Sequence, residues 1–548
     1  MSSFSRRDFL KKSGQAGLAA CATSALGRSA FAQSAPTRVV IDSTRPIAPI
    51  DPHLYGSFLE HLGRAIYEGI YEPQSKFADS NGFRTDVMNE VRHLGVPIIR
   101  YPGGNFVSGY HWLDGVGPRD KRPTVLDRAW DTLETNQFGT DDFITWARAV
   151  GTEPLFGLNF GTGTAEDAAA LVEYCNVEKG TKWSDLRRSH GYQQPHRVKY
   201  WCVGNEMDGP WQIGHIPARE YGLKATDAAR QMRAVDPSVK LVACGSSGPF
   251  MPTYIDWDRT VLEECYDQVD GISLHRYWGN TEETNHDSQI YMAMNLAMDR
   301  QIEEIIAVCD SVRAQKRSGK QLFLSFDEWN VWYRARSGDD VDGHGKIAPH
   351  LLEEPYNLED ALLVGGLVNS LMRHADRVKL ACLAQLVNVI APIMTNEDGI
   401  LRNTIYYPYA WALKYAHGTS LSLAPEGPGY EVAHLGRPIE DIGLPVPGFG
   451  EVPWLDVTAV LNQDKKTATL FVFNRDLHND RELEIVWRDL TPSGVAAFET
   501  LTGSDLKALN TFADPKRVVP QTLEHPKTGA TMTVQLPARS YSVLSLTV

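Results

Sequence analysis

Cysteine is scarce in this chain, and the few that occur follow no recognisable pattern. The 548 residues include seven cysteines, with no CxxC pair and no spacing typical of zinc ligands. This argues against a disulfide-stapled scaffold and against a zinc-ribbon protein. The chain also lacks the HExxH sequence of zinc proteases, the GxSxG sequence of serine hydrolases and a glycine-rich phosphate loop. The common motifs of metal-, serine- and nucleotide-dependent chemistry are therefore missing.

An excess of basic charge and long apolar runs are missing as well. Lysine and arginine total 54 against 68 aspartates and glutamates, a formal net charge of −14. A nucleic-acid-binding protein needs a basic surface to neutralise phosphates, so we expect no nucleic-acid partner. No run is long and apolar enough to predict a membrane span. The composition, 43% hydrophobic and 22% charged with 13 tryptophans, predicts a large soluble protein, a class that consists mostly of enzymes.

The first residues predict an export signal. Arg6 and Arg7 precede a weakly apolar stretch, and the letters AFA at 30–32 form a small-residue cleavage site. This pattern resembles a twin-arginine signal. A rival processing site is LAAC at 18–21, which resembles a lipobox that would lipidate Cys21. We expect cleavage after Ala32 and hence a periplasmic or secreted protein, with the lipoprotein as the alternative.

Eight short apolar runs alternate with segments whose apolar residues fall three and four positions apart, the spacing of amphipathic helices. The runs begin at 54, 96, 154, 198, 240, 270, 321 and 379. Apolar strands alternating with helices indicate a parallel sheet covered on both faces. Eight such units predict a (β/α)8 TIM barrel. A doubly wound open sheet is the alternative, but no glycine-rich phosphate turn follows any of the runs.

The pattern changes beyond about residue 420, where apolar and polar residues alternate over short runs separated by turns. Such alternation is typical of half-buried antiparallel strands and predicts a C-terminal, jelly-roll-like β-sandwich. We therefore divide the chain into a signal peptide over 1–32, an N-terminal strand joining the sandwich over 33–49, a barrel over 50–418 and the sandwich over 419–548.

Two glutamates lie where the fourth and seventh predicted strands end. They are Glu206, in the sequence GNE, and Glu328, in the sequence DEW. Chemistry in such barrels takes place at the carboxyl ends of the strands, and these two strands lie on opposite sides of the barrel. A facing carboxyl pair can cleave a glycosidic bond, because one group protonates the leaving oxygen while the other attacks or activates water. Each glutamate could instead cap or salt-bridge a loop, but their polar and aromatic neighbours favour catalysis.

The segments around these glutamates, WCVGNEMDGPWQIGH and LSFDEWNVWY, resemble the two signature segments of glycoside hydrolase family 51, the α-L-arabinofuranosidases. Further segments are similar in the same order: YPGGNFVSGYHWLDGVGP, ETNQFGTDDF, HRYWGN and LAQLVNVIAPI. The resemblance extends from about residue 36 to the C-terminus and implies a clan A barrel with a C-terminal sandwich. The leader is the one departure, since many bacterial members look cytoplasmic.

The resemblance also implies roles for individual residues. Glu206 corresponds to the general acid/base and Glu328 to the nucleophile of a retaining double displacement. Arg100 and His275 correspond to supporting residues. The implied sugar-binding residues are Glu60, Asn105, Asn205, Tyr277, Gln385, Trp130 and Trp332. The resemblance implies no metal and no cofactor.

These observations predict an exo-acting enzyme that releases terminal non-reducing α-L-arabinofuranosyl residues from arabinoxylan, arabinan or derived oligosaccharides. An endo-acting xylanase or β-glucanase of the same family is the alternative. The shape of the loops decides whether the site is a pocket, for exo action, or a groove, for endo action, and the sequence does not predict that shape. The third hypothesis is a non-catalytic carbohydrate-binding protein. Such a protein would be expected to lack a catalytic carboxylate, whereas this chain has both. By analogy with related enzymes, we also expect a homo-oligomer.

Overall fold

The computed structural model describes residues 35–335, 343–439, 444–462, 464 and 466–548. The predicted leader over 1–32, with Cys21, lies outside the described residues. The helices are α1 (Thr85–Leu94), α2 (Thr140–Val150), α3 (Ala165–Asn176), α4 (Lys182–Ser189), α5 (Ala218–Val235), α6 (Asp256–Cys265), α7 (Ser288–Tyr291), α8 (Asn295–Lys316), α9 (Leu358–Arg373) and α10 (Tyr406–Tyr415).

The first twelve strands are β1 (Thr37–Ile41), β2 (Pro46–Pro49), β3 (Gly56–Phe58), β4 (Ile98–Tyr101), β5 (Val125–Asp127), β6 (Thr132–Glu134), β7 (Glu153–Gly157), β8 (Tyr200–Val203), β9 (Lys240–Ala243), β10 (Gly271–Trp278), β11 (Phe323–Val331) and β12 (Val378–Leu383). The others are β13 (Ile393–Asn396), β14 (Gly399–Arg402), β15 (Thr419–Leu421), β16 (Gly429–Ile439), β17 (Leu444–Pro453), β18 (Leu455–Asn462), β19 (Thr467–Asn474), β20 (Arg481–Trp487), β21 (Gly494–Leu501), β22 (Gln521–Thr522), β23 (Thr531–Leu536) and β24 (Ser540–Thr547).

Eight of these strands close into a barrel. In cyclic order they are β3, β4, β7, β8, β9, β10, β11 and β12, and every neighbouring pair is parallel. Helices on the outside cover the strands, which explains why β8, for example, is buried and apolar from Trp201 to Val203. The predicted (β/α)8 barrel is confirmed, and the open-sheet alternative is wrong.

The C-terminal part contains two facing sheets. One has the strand order β2-β15-β18-β19-β24-β21-β22 and the other β1-β20-β23. Their inner faces share an apolar core that includes Val39, Leu470, Ile485 and Leu544, while alternate residues of β1 and β23 are exposed. The predicted β-sandwich is confirmed. The boundaries 33–49, 50–418 and 419–548 stay predictions.

Helix α9 joins the two parts. Every residue from Leu358 to Met372 is buried, because the barrel lies against the helix on one side and the sandwich on the other. Gly365 permits the close approach on the sandwich side: a Cβ atom there would lie 2.5 Å from the ring of Tyr541. The hydroxyl of Tyr541 also donates to Asn369 Oδ1 at 3.1 Å. The helix therefore belongs to the barrel core, which sandwich residues such as Phe473 and Tyr541 extend.

The helices of the described residues offer no segment both long and apolar enough to cross a bilayer. Six cysteines fall within the described part, and all six are buried and outside any disulfide: Cys175, Cys202, Cys244, Cys265, Cys309 and Cys382. They pack within the barrel core, and Cys202 Sγ also donates to Asp327 Oδ2 at 3.2 Å.

Candidate active site

Glu206 follows β8 in a constrained turn. Its φ of +44° lies in the left-handed region, and Gly204 before it has a φ of +104°. A left-handed glutamate persists only when its surroundings hold it. Here the next turn is tied to the loop after β9, because the Asp208 carboxylate accepts from Ser246 Oγ at 2.6 Å and from the Ser247 backbone N–H at 3.0 Å. These bonds fix the turn that presents Glu206 to the barrel mouth.

Glu328 lies inside β11 rather than at its end, where the sequence predicted it. The strand continues through Val331, and its pairing with β12 shifts register between Phe326 and Trp329. Such a bulge turns consecutive side chains towards one face. Both Asp327 and Glu328 consequently contact groups inside the barrel.

Both carboxylate oxygens of Glu328 accept hydrogen bonds. Arg100 Nη1 donates to Oε2 at 2.7 Å, and the hydroxyl of Tyr277 donates to Oε1 at 2.9 Å. Arg100 also donates from Nη2 to Asn205 Oδ1 at 2.5 Å. The guanidinium therefore supplies the counter-charge of Glu328 and fixes Asn205 beside it.

His275 lies between the acidic side chains. Its Nδ1 is 3.1 Å from Glu206 Oε1 and 3.7 Å from Glu328 Oε2, and its Nε2 is 3.0 Å from Asp327 Oδ1. Burial lowers the pKa of His275, but the charge of Glu328 and the bond to Asp327 outweigh that effect and raise the pKa to about 10. The ring is therefore an imidazolium at neutral pH and donates from both nitrogens.

Three potential metal-ligand atoms lie within 4.8 Å of one another, a spacing that could hold a cation. They belong to Glu206, His275 and Glu328. Both ring nitrogens of His275, however, are already within hydrogen-bonding distance of carboxylates, Nδ1 of Glu206 and Nε2 of Asp327. Arg100 also already places a positive charge on Glu328. We therefore assign no metal to this cluster.

Glu206 is held in the environment that a general acid requires. Burial raises its pKa; the hydrogen bond from His275 opposes this, and the charge of Glu328 adds to it, so that the pKa is raised overall. The second oxygen of Glu206 accepts from the indole N–H of Trp211 at 2.7 Å. A proton stays on this carboxyl at higher pH than on an exposed glutamate.

A second group of polar residues surrounds Glu60. Its Oε1 accepts from the Phe106 backbone N–H and the Trp130 indole N–H, both at 2.9 Å. Gln385 Oε1 accepts from the Glu60 backbone N–H at 3.0 Å, and Asn105 precedes Phe106 in the short helix 105–109. Burial raises the pKa of Glu60 to about 8, although the two donors to Oε1 oppose it. The remaining predicted aromatic, Trp332, lies edge-on to Tyr277, with ring centroids 5.1 Å apart.

The structure thus brings the predicted residues into two adjoining groups, one around Glu206 and Glu328 and one around Glu60. Two further contacts were missed from the sequence. Trp211 was not among the predicted site residues, although it follows Glu206 by only five positions. Asp327 is 0% exposed; burial raises its pKa, but Arg100 and His275 outweigh this and lower it overall. Its position next to Glu328 in the sequence could have indicated that it belongs to the site.

Comparisons with known proteins agree with this geometry. The family model described as the α-L-arabinofuranosidase 1 domain matches residues 90–289, and that of the α-L-arabinofuranosidase C-terminal domain matches residues 327–540. The chain is 48% identical over 484 residues to the intracellular exo-α-(1→5)-L-arabinofuranosidase 1 of Bacillus subtilis (strain 168), covering 88% of this chain and 93% of that protein. It is 42% identical to an exo-α-(1→6)-L-arabinofuranosidase of Bifidobacterium longum, covering 90% and 93%.

The solved structure of a family 51 α-L-arabinofuranosidase from Bifidobacterium longum superposes with a TM-score of 0.87 at 38% identity, covering 94% of this chain and 100% of that one. Barrel and sandwich are therefore shared along nearly the whole length.

The predicted export is wrong. Similar relatives at 39–48% identity are named intracellular enzymes, which contradicts a periplasmic or secreted location, by either the twin-arginine or the lipoprotein route. The prediction rested on a short local pattern of two arginines and small residues.

The fold, the paired carboxyl groups and the relatives lead to the same assignment. The relatives match over most of their own length, and the residues matched by the two family models include Glu206 and Glu328. The chain belongs to the family 51 α-L-arabinofuranosidases and is a glycosidase.

Proposed function

We propose that the enzyme is a retaining, exo-acting α-L-arabinofuranosidase that works by double displacement. The spacing of its carboxyl groups carries this proposal, because one oxygen of Glu206 and one of Glu328 lie within 4.8 Å of each other. Carboxyl groups of retaining glycosidases are about 5–5.5 Å apart, whereas inverting enzymes separate them by about 6.5–9.5 Å to admit a water molecule. The short spacing favours direct attack by one of the two groups.

In the first step Glu328 attacks the anomeric carbon while Glu206 gives its proton to the leaving oxygen. The bond from the anomeric carbon to that oxygen breaks, and an ester bond to Glu328 forms. Arg100 and Tyr277 keep the nucleophile in position, while the raised pKa of Glu206 keeps its proton available. The division of roles follows from the different surroundings of the two carboxyl groups.

In the second step the ester has removed the negative charge of Glu328. That charge raises the pKa of Glu206 in the free enzyme, so the pKa falls in the intermediate. Glu206 can then accept a proton from water as the water attacks the anomeric carbon. Because this water arrives from the face that the leaving group vacated, the configuration is retained.

The remaining predicted residues bind the sugar in this proposal. Asn205, which accepts a hydrogen bond from Arg100, would bond the 2-hydroxyl, a contact that strengthens in the transition state. Glu60, Asn105 and Gln385 would bond the other hydroxyls. Trp130 and Trp332 would cover the apolar faces of the arabinose ring.

We propose terminal arabinofuranosyl residues of arabinoxylan, arabinan or their oligosaccharides as substrates. Relatives named exo-α-(1→5)- and exo-α-(1→6)-L-arabinofuranosidases support exo action, and the endo-acting alternative is not favoured. The presence of both carboxyl groups in contact with His275 also argues against a non-catalytic binding protein. Assembly into a homo-oligomer stays a prediction, which sedimentation would test.

Retention is tested by trapping the intermediate with methanol. With an aryl α-L-arabinofuranoside as donor, we expect methyl α-L-arabinofuranoside as the first methylated product, because methanol takes the place of water on the vacated face. The methyl glycoside does not change anomer in solution, so ¹H NMR identifies it. A control without enzyme excludes uncatalysed methanolysis. Formation of the β-anomer would contradict the double displacement.

Replacing His275 with glutamine tests its charge. The hydrogen bond and charge of His275 lower the pKa of Glu206, so their removal should raise that pKa. We expect the alkaline limb of the kcat/KM profile to move to higher pH and kcat to fall about 100-fold, the size of a lost electrostatic contact at an active site. His286→Gln, at a histidine whose side chain is 65% exposed, serves as the control. A limb that stays in place or moves to lower pH would contradict this role.

A further inference from the structure

Two large aromatic side chains at the barrel mouth are open to solvent. Trp211, after β8, is 44% exposed and Phe250, after β9, is 61% exposed. Their rings are stacked, with centroids 6.1 Å apart and planes 30° from parallel. Together they form a continuous apolar surface that neither hydrophobic core accounts for.

The two rings pack against the backbone despite their exposure, because each lies over a glycine. A Cβ atom on Gly209 would lie 2.5 Å from the Trp211 ring, and one on Gly248 would lie 2.6 Å from the Phe250 ring. The loops that carry them are joined through Asp208 and its bonds to the loop after β9. A surface that is already ordered loses little side-chain entropy when a ligand binds.

The surface begins at the acid/base. Trp211 Nε1 donates to Glu206 Oε2 at 2.7 Å, whereas Glu206 Oε1 lies towards His275 and the nucleophile. In the proposed function Glu206 protonates the leaving oxygen, so the sugar attached to that oxygen starts beside this carboxyl. Trp211 is the first aromatic ring that such a sugar meets, and Phe250 is the next one outwards.

We propose that Trp211 and Phe250 form a leaving-group subsite for an uncharged oligosaccharide, with Trp211 contacting its first sugar unit and Phe250 its second. Flat aromatic rings bind the apolar faces of sugars and tolerate different hydroxyl patterns. The inference rests on the proposed function and extends it: the preferred substrate has at least two sugar units on the leaving side of the scissile bond.

The test compares leaving groups of different length. kcat/KM is measured for α-(1→5)-linked arabinobiose and arabinotriose and for 4-nitrophenyl α-L-arabinofuranoside with the wild type, Phe250→Ala and Phe250→Trp. We expect Phe250→Ala to lower the arabinotriose-to-arabinobiose ratio of kcat/KM about fivefold, the size of one aromatic contact, and Phe250→Trp to restore it. Phe512→Ala, at a 44% exposed phenylalanine of the sandwich, should leave the ratio as in the wild type.

Three results would overturn the subsite. An unchanged ratio in Phe250→Ala would show that Phe250 does not contact the substrate. An equal loss on all three substrates would show a purely structural role. A changed sedimentation coefficient in place of a changed ratio would assign the surface to a second copy of the chain. If the wild type itself releases no arabinose from the aryl arabinofuranoside, the proposed function fails, and the subsite fails with it.

Discussion

Glu328→Ala is expected to lower kcat by about 10⁵-fold, because an enzyme without its nucleophile cannot form the covalent intermediate. Arg100 and Tyr277 would remain, but the two hydrogen bonds that they donate to Glu328 would have no acceptor. Turnover of an aryl arabinofuranoside, measured with enzyme purified to exclude wild-type contamination, gives the size of the loss.

Azide makes the Glu328→Ala test specific. The anion can enter the space left by the carboxylate and attack the anomeric carbon directly, while Glu206 still protonates the leaving oxygen. The expected product is the β-L-arabinofuranosyl azide, of inverted configuration. Glu263→Ala, which removes a half-buried glutamate of α6 paired with Arg259, is the matched control. Full activity of Glu328→Ala, or an azide product of retained configuration, would contradict the assignment.

Glu206→Ala is expected to have an effect that depends on the leaving group. For arabinobiose, whose leaving alkoxide needs a proton, we expect kcat/KM to fall about 10⁴-fold. For a 2,4-dinitrophenyl arabinofuranoside the first step needs no proton, so kcat/KM should change by less than about tenfold. The slow step then becomes hydrolysis of the intermediate, because no base activates water.

Azide again separates the roles, since it attacks the intermediate without a general base. We expect it to raise turnover of the dinitrophenyl substrate by Glu206→Ala and to give the α-L-arabinofuranosyl azide, of retained configuration. The two glutamate variants should therefore give opposite anomers from the same substrate. An equal loss on both substrates would remove Glu206 from the acid/base role.

Much of the fold could be predicted from the sequence because every barrel strand is buried on both faces and carries the same apolar signal. A parallel strand buried on both faces is mostly apolar, and eight such runs separated by amphipathic segments leave few architectures. The motif GNE also located Glu206 after β8 correctly. The N-terminal prediction had no such support, since it depended on one local pattern.

The details of the site depend on contacts between distant strands. The bulge that turns Asp327 and Glu328 towards the same face arises from the pairing of β11 with β12. The residues of the DEW sequence alone do not predict it. The left-handed φ of Glu206 is likewise imposed by its surroundings rather than by its side chain. Tryptophan is ambiguous in a sequence: Trp146, Trp201 and Trp257 are at most 2% exposed, whereas Trp211 is 44% exposed.

The burial of α9 has a consequence for how this architecture can change. A helix that is buried at every residue from Leu358 to Met372 has no solvent-facing side on which substitutions are free, so its sequence must suit the barrel and the sandwich together. Gly365 shows the constraint at one position, since any larger residue would displace Tyr541. The sandwich is therefore a part of the barrel's outer wall, and recombination that exchanged it for another module would leave the barrel open along one side.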